Sequence, residues 1–359
     1  GLQLVDNLNL SGALVLASGA GTFDNATNDR NITVEGNVTM DNTQVDMGDA
    51  TWTVSGNWDG VDVTTFNSNG STLVMNGSGK TIANKSGWAG RLNSLTISGT
   101  ITSASAFSVD TTLTVSGIFT VNHNTVGGAE TDNTYITGTG IVNGSGTLEI
   151  RTIAQFDATA EISVANLWLY YATSIPAGTY TSTAVRIGAG STTTITGNVV
   201  FTGNVTFQNS GTIANSTNNP NIEFRGNVTL TGTITWTKGT GTITLSGSTA
   251  QSVNLLGKTV EDIVINKTHG TVQLTGTGTT DSLLVSSGTL DFNGKAITTI
   301  GDLTIGVLGQ VEPRGLPGSA LNVGGNLSLT GAAGDLLNLS ATGAWTLSVT
   351  GTASASYVT

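Results

Sequence analysis

The chain has 359 residues, of which 10 % are charged, 37 % are hydrophobic and 49 are glycine, with a formal net charge of -11. An average soluble domain carries about 25 % charged residues, so this is not the composition of a helical or α/β enzyme. The apolar residues, spread evenly as Val, Ile and Leu, are too many for a disordered polymer. The absence of cysteine rules out disulfides, thiolate metal sites and a cysteine nucleophile together. The 12 basic residues form no run, and phosphate binding needs clustered cations, so no nucleic-acid partner is expected. No stretch approaches the roughly 18 to 20 uninterrupted apolar residues of a membrane helix, so no membrane insertion of this segment is expected.

In chain order, Ile32-Thr33-Val34-Glu35, Thr51-Trp52-Thr53-Val54-Ser55, Leu113-Thr114-Val115-Ser116, Thr242-Ile243-Thr244-Leu245-Ser246 and Leu327-Ser328-Leu329-Thr330 each alternate apolar and polar side chains. A period of two marks short strands. Most end in glycine, where a residue without Cβ lets the backbone turn sharply. These corners fall at Gly36, Gly56, Gly77, Gly99, Gly117 and Gly138, then at Gly203, Gly226, Gly247, Gly276, Gly301, Gly324 and Gly351. Their spacing, roughly 18 to 29 residues, is a solenoid period. No segment of about ten residues carries a credible helical period.

The expected fold is therefore all-β: a parallel β-helix, or β-solenoid, with about 22 residues per coil and essentially no α-helix. Roughly 16 coils would stack at about 4.8 Å each. Gly-Asn-Val-Thr occurs at Gly203 and again at Gly226, which places those glycines at one corner of successive coils and stacks Val205 with Val228 in the interior. The rhythm divides the chain into an N-terminal stack over 1–151, an irregular aromatic-rich junction over 152–190, where Trp168, Tyr170, Tyr171 and Tyr180 gather around Pro176, and a C-terminal stack over 191–359 continuous with the first.

Three groups of residues are candidates for chemistry. The acids Asp41, Asp46 and Asp49 in DNTQVDMGD alternate beside a glycine, as in a loop for a hard cation such as Ca2+, but they lack the spacing and the final Glu of an EF-hand; solvated turn acids are the plainer reading. Of the six tryptophans, Trp88 and Trp168 are the candidates for contact with glycans. The alternative is that the tryptophans fill widened coils or cap loops. Asn-x-Ser/Thr recurs, and Asn37, Asn69, Asn76, Asn84, Asn204, Asn227, Asn266 and Asn326 are candidate N-glycosylation sites. The same residues also suit corners, because Asn tolerates left-handed backbone and stacked Asn can form hydrogen-bonded ladders between coils. His123 and His269 are far apart and outside any HExxH spacing. The Gly-Thr-Gly triplets at Gly138 and Gly276 read as corners, not phosphate loops.

The stretches AGRLNSLTISGTITSASAFSVDTTLTVSG, VEDIVINKTHGTVQLTGTGTTDSLLVSSGTLDFNGKAITTIGDLTI and NVGGNLSLTGAAGDLLNLSATGAWTLSVTGTASASYVT resemble the repeat regions of large secreted bacterial and archaeal surface proteins. The resemblance covers most of the chain and implies a right-handed parallel β-helix of adhesin-like type, exposed at the cell surface. It also implies that the natural protein continues past Thr359, since Ala355 to Thr359 reads as a strand in mid-coil. Pectate-lyase-like and tailspike enzymes share the architecture, but they need stacked carboxylates with an Arg or Lys in attendance, and no acid here has that company. The expected function is a non-catalytic extracellular stalk, adhesin shaft or filament subunit that associates end to end or with cell-surface components and has no cofactor. The alternative is a carbohydrate-binding or carbohydrate-cleaving β-helix.

Overall fold

A computed structural model describes residues 1–17, 21–86, 90–127, 135–151, 161–170, 174–190, 192–312, 319–339, 341 and 343–359. The described residues contain no α-helix and form a right-handed parallel β-solenoid of about 14 turns, each of about 21 residues. After strand Leu327–Thr330, Ala332 and Asp335 form an isolated antiparallel bridge and Leu337 an isolated parallel bridge to Val358. Chain contacts divide the molecule into Gly1–Ser174 and Ile175–Thr359. Strand Glu161–Tyr170, within the expected junction, is regular. Residues 152–160 and 171–173, Tyr171 among them, lie outside the described residues.

In the first unit one face of the coil is built from Leu8–Leu10, Ile32–Val34, Thr51–Val54, Thr72–Met75, Leu92–Ile97, the end of Phe107–Val115, and Tyr135–Thr137. A second face carries Leu14–Leu16, Val38–Asp41, Trp58–Asp62, Ser78–Asn84, Thr100–Ser103 and Ile118–Thr120. A short third face holds Leu2–Gln3, Thr22–Asp24, Gln44–Asp46 and Thr65–Asn67. The register is parallel and turns the period of two into columns. Ile32, Trp52, Leu73, Leu95, Leu113 and Ile136 stack in one, and Val34, Val54, Met75, Ile97 and Val115 in the next, all buried. Trp52 and Trp58 are fully buried and lie edge to face at 5.8 Å, with Phe23 and Phe66 on their flanks. Aromatic pairs in this geometry add about 0.5–1.5 kcal/mol beyond their burial.

The corner glycines have a different cause from the sharp turn expected of them. Gly36, Gly56, Gly77, Gly99 and Gly117 do not have positive φ. A Cβ at Gly56 would stand 2.2 Å from the Gly36 carbonyl oxygen, at Gly99 1.9 Å from that of Gly77, at Gly117 2.1 Å from that of Gly99, and at Gly140 2.2 Å from that of Gly117. The coils touch backbone to backbone along this column, and only a residue without a side chain fits. Gly140, rather than Gly138, continues it.

The second unit follows the same rules. Val199, Ile222, Ile243, Ile263, Leu283, Leu303 and Leu327 form one interior column, with Val205 directly below Val228 and a glycine column from Gly203 to Gly226. Tyr180, Phe201 and Phe224 stack ring on ring at 5.3 and 5.6 Å. Tyr180 is buried and donates its hydroxyl to the Pro176 carbonyl at 2.8 Å; burial pushes the phenol pKa up.

One stretch of this unit repeats one in the first. TFDNATNDRNITVEGNVTM at 22–40 and TIANSTNNPNIEFRGNVTL at 212–230 share the Asn, Gly and Val-Thr positions and fold alike. Asp29 and Asn219 both adopt φ 49°, and each donates its backbone N–H to the carbonyl four residues earlier, at Asn25 and Asn215, at 2.8 Å.

Candidate functional site

The most ordered polar feature is a set of asparagine and aspartate side chains at the corners. Each accepts, through Oδ1, a backbone N–H from the next coil. In the first unit Asn7 takes Asn31 N at 3.0 Å, and Asn31 takes Thr51 N at 3.0 Å; Asn37 takes Asn57 N at 2.9 Å, and Asn57 takes Thr81 N at 3.0 Å. In the second, Asn198 takes Asn221 N at 2.9 Å, Asn221 takes Thr242 N at 3.0 Å, Asn204 takes Asn227 N at 2.9 Å and Asn227 takes Ser252 N at 2.7 Å. Asp302, Asn326 and Thr352 continue the pattern near the end. A backbone donor at a corner has no strand partner, and an orphan donor costs about 1–3 kcal/mol where it is buried. The short Asx side chain reaches one storey and supplies the acceptor.

Two polar clusters lie inside the second unit. The Glu261 carboxylate, 1 % exposed, accepts from Trp236 Nε1 at 2.8 Å, Asn215 Nδ2 at 2.9 Å and Gly239 N at 2.9 Å. These three donors satisfy the buried carboxyl oxygens. Lys267, also 1 % exposed, donates through Nζ to the Ser246 carbonyl at 3.0 Å and to Gln251 Oε1 at 2.7 Å, while Gln251 Nε2 donates to the carbonyls of Phe224 and Gly226. Burial lowers the Lys267 pKa from its ordinary value. Neither cluster was expected from the sequence. The Asn-x-x-x-Asx spacing before each repeated GNVT was the available signal for the Asn215 arm.

The three candidate cation acids cap turns. Asp41 is exposed, accepts from Asn42 Nδ2 at 2.7 Å and stands in register with Asp62. Asp46 accepts Gly48 N at 3.2 Å and the amides of Asn67 and Asn69. Asp49 takes Gly70 N at 2.7 Å and gives its own N–H to Asp29 at 2.6 Å. Among the described residues no three His, Asp or Glu side chains converge as a metal set. His123 is exposed with Nδ1 3.2 Å from the Ser103 carbonyl, and His269 is exposed on strand Asp262–Leu274.

The sequons separate into two kinds. Asn37, Asn69, Asn76, Asn204, Asn266 and Asn326 are exposed and Asn227 is half-buried. At Asn37, Asn204, Asn227 and Asn326 the ladder uses Oδ1, and Nδ2 makes no hydrogen bond among the described residues. Asn84 is a correction: it is 1 % exposed, donates Nδ2 to the Gly90 carbonyl at 2.6 Å and accepts Trp58 Nε1 at 3.3 Å. A glycan at that nitrogen has no room in this packing. Trp88 lies outside the described residues. Trp168 is half-buried on strand Glu161–Tyr170, its ring 6.1 Å from that of Tyr170 at 83°.

No family model, no curated protein and no solved structure matches this chain. The fold itself, a parallel β-solenoid, defines its class.

Proposed function

We propose that the chain is a non-catalytic structural and adhesive solenoid of a microbial cell surface, serving as a stalk, an adhesin shaft or a filament subunit. One observation carries this reading: the corner polar groups and the interior columns alike are spent on joining one coil to the next. Side chains that an enzyme would aim at a substrate are here Asn and Asp holding a neighbouring backbone N–H. Strands Leu2–Gln3, Leu8–Leu10 and Leu14–Leu16 pair on one side only, as do Thr346–Val349 and Ala353–Ser356. Such edges accept a further coil, from the same polypeptide or from a second copy. Glycans on the exposed Asn37, Asn204 and Asn326 fit such a surface and leave the ladder oxygens in place.

Edge-blocking tests the assembly part. Light scattering and negative-stain electron microscopy of the chain should show end-to-end oligomers that grow with concentration. Val15→Pro combined with Ala355→Pro, which removes edge N–H groups, should return the protein to single chains with an unchanged circular dichroism spectrum. Oligomers that persist in the double variant, or wild-type chains that stay single at every concentration, sink end-to-end association. A second reading, carbohydrate binding or cleavage, is favoured by the half-buried Trp168 beside Tyr170. A glycan array with a reducing-end release assay separates the two, and turnover by the chain would overturn the first.

A further inference from the structure

One sheet of the first unit presents a second, independent feature. On the face that runs from Ile32–Val34 to Tyr135–Thr137, the buried column Trp52, Leu73, Leu95, Leu113 is flanked by two outward rows. Thr51, Thr72, Ser94 and Thr112 stand in register in one row; Thr33, Thr53, Val74, Thr96, Thr114 and Thr137 stand in register in the other. Nine of these ten side chains carry a hydroxyl, and none is charged. The hydroxyls of Thr33, Thr53, Thr96, Thr114 and Thr137 are half-buried and make no hydrogen bond with any described group, nor do those of Thr51, Thr72 and Thr112.

A parallel sheet fixes the repeats of such an array: about 4.8 Å from storey to storey and about 6.7 Å between alternate residues of one strand. Threonine is held to few rotamers by its branched Cβ, so each hydroxyl and methyl keeps its place at little further cost in entropy. Charged groups would hold their own hydration shells against any ordered layer, and here both rows are neutral. A two-dimensional lattice made mostly of rigid hydroxyl and methyl pairs, with free hydrogen-bonding capacity at its eight Thr, complements a solid whose surface oxygens repeat at closely similar distances in two directions. Ice is that solid: its prism surface repeats in both dimensions near these values, and the Thr at eight of the ten points each offer a hydroxyl for hydrogen bonding and a methyl to exclude disordered water, with Ser94 supplying only the hydroxyl and Val74 only methyls.

We propose that this threonine face binds the surface of ice. Each contact is weak, and the affinity comes from many made together on one rigid frame. The proposal does not depend on the cell-surface reading above.

The test uses the full chain, cooled in a nanolitre osmometer and, separately, partitioned between a slowly growing ice hemisphere and the liquid. Faceted crystals, a gap between freezing and melting points, and uptake of the chain into the ice are expected. Thr53→Lys, Thr96→Lys and Thr114→Lys combined should abolish all three. Thr206→Lys with Thr229→Lys, an in-register outward pair of the second unit, should leave them intact. If the triple-lysine chain loses its circular dichroism spectrum, Ser at the same three positions, which keeps the hydroxyls and removes the methyls, decides instead by reduced uptake. Round crystals with the wild-type chain left in the liquid overturn the proposal. So does uptake that the folded array variants share with wild type, or adsorption to crystalline cellulose or chitin without adsorption to ice.

Discussion

Replacing Gly99 with alanine tests the claim that the glycine column exists for close approach and not for backbone freedom. The new Cβ would stand 1.9 Å from the Gly77 carbonyl oxygen, where ordinary contact begins at 3.4 Å. The clash is with backbone, so no side chain can rotate away. Relief requires the two coils to part by about 1.5 Å at that corner. Three hydrogen bonds cross it: Thr100 N to Gly77 O at 3.0 Å, Ser98 N to Met75 O at 3.0 Å, and Gly99 N to Met75 O at 3.2 Å. At a net value of about 0.5–1.5 kcal/mol each, losing them costs about 3 kcal/mol.

Two other glycines supply controls. Gly12 belongs to the same column but has nothing within 4 Å of its Cβ position and no positive φ, so Gly12→Ala should be neutral or gain up to about 1 kcal/mol through the unfolded chain. Gly79 is equally open but sits at φ 65°, where alanine costs about 1–2 kcal/mol. Urea unfolding followed by the fluorescence of Trp52 and Trp58, both buried in this unit, should order the midpoints as Gly12→Ala highest, Gly79→Ala lower and Gly99→Ala lowest. If Gly99→Ala and Gly12→Ala unfold at the same urea concentration, the close-approach account is wrong.

Trp52→Ala removes a fully buried ring, its two edge contacts and the Nε1 bond to the Met47 carbonyl, and should cost about 3–5 kcal/mol in the same assay. Trp345→Ala, at a half-buried position, should cost clearly less. Glu261→Ala leaves Trp236 Nε1, Asn215 Nδ2 and Gly239 N without an acceptor and should destabilise by at least about 3 kcal/mol; Glu261→Gln, which keeps one carbonyl oxygen, should lose less, and equal losses would deny the carboxylate its role. Lys267 provides a pH signature. Its folded pKa is lowered by burial, so the unfolded chain holds a proton that the folded one releases. Stability should therefore rise with pH between the lowered folded value and the ordinary lysine value, and this gain should be lost as pH falls through the folded pKa. Lys267→Met should flatten that alkaline rise, as read from urea midpoints across the range, and an unchanged slope would rule it out.

The interior was legible because a period of two has a single meaning when every storey repeats it. Val205 beneath Val228, and Gly203 beneath Gly226, follow from the sequence once coils of constant length are assumed. What the sequence could not show was why each corner residue was there. Glycine serves both a turn and a close approach, and only the distance between storeys separates them; thus Gly138, with φ 111°, looks like a member of the column that Gly140 in fact continues. Asparagine is ambiguous in the same way. Asn37 and Asn84 both head an Asn-x-Ser/Thr triplet, yet one faces outward with its oxygen in a ladder and the other lies in the core against Trp58.

The buried polar clusters were hidden for a related reason. Glu261 and Asn215 are 46 residues apart, two storeys in the stack, and no local pattern spans that interval. In a solenoid, local sequence gives the outline of a coil, while its polar interior is determined by what lies one and two coils away. The threonine rows obey the same logic from the outside. Thr53, Thr96 and Thr114 are unremarkable strand residues when taken singly, since a β-branched residue suits any exposed strand position. Only the register, which places them in one line at the spacing of the sheet, turns a compositional bias into a surface with a lattice of its own.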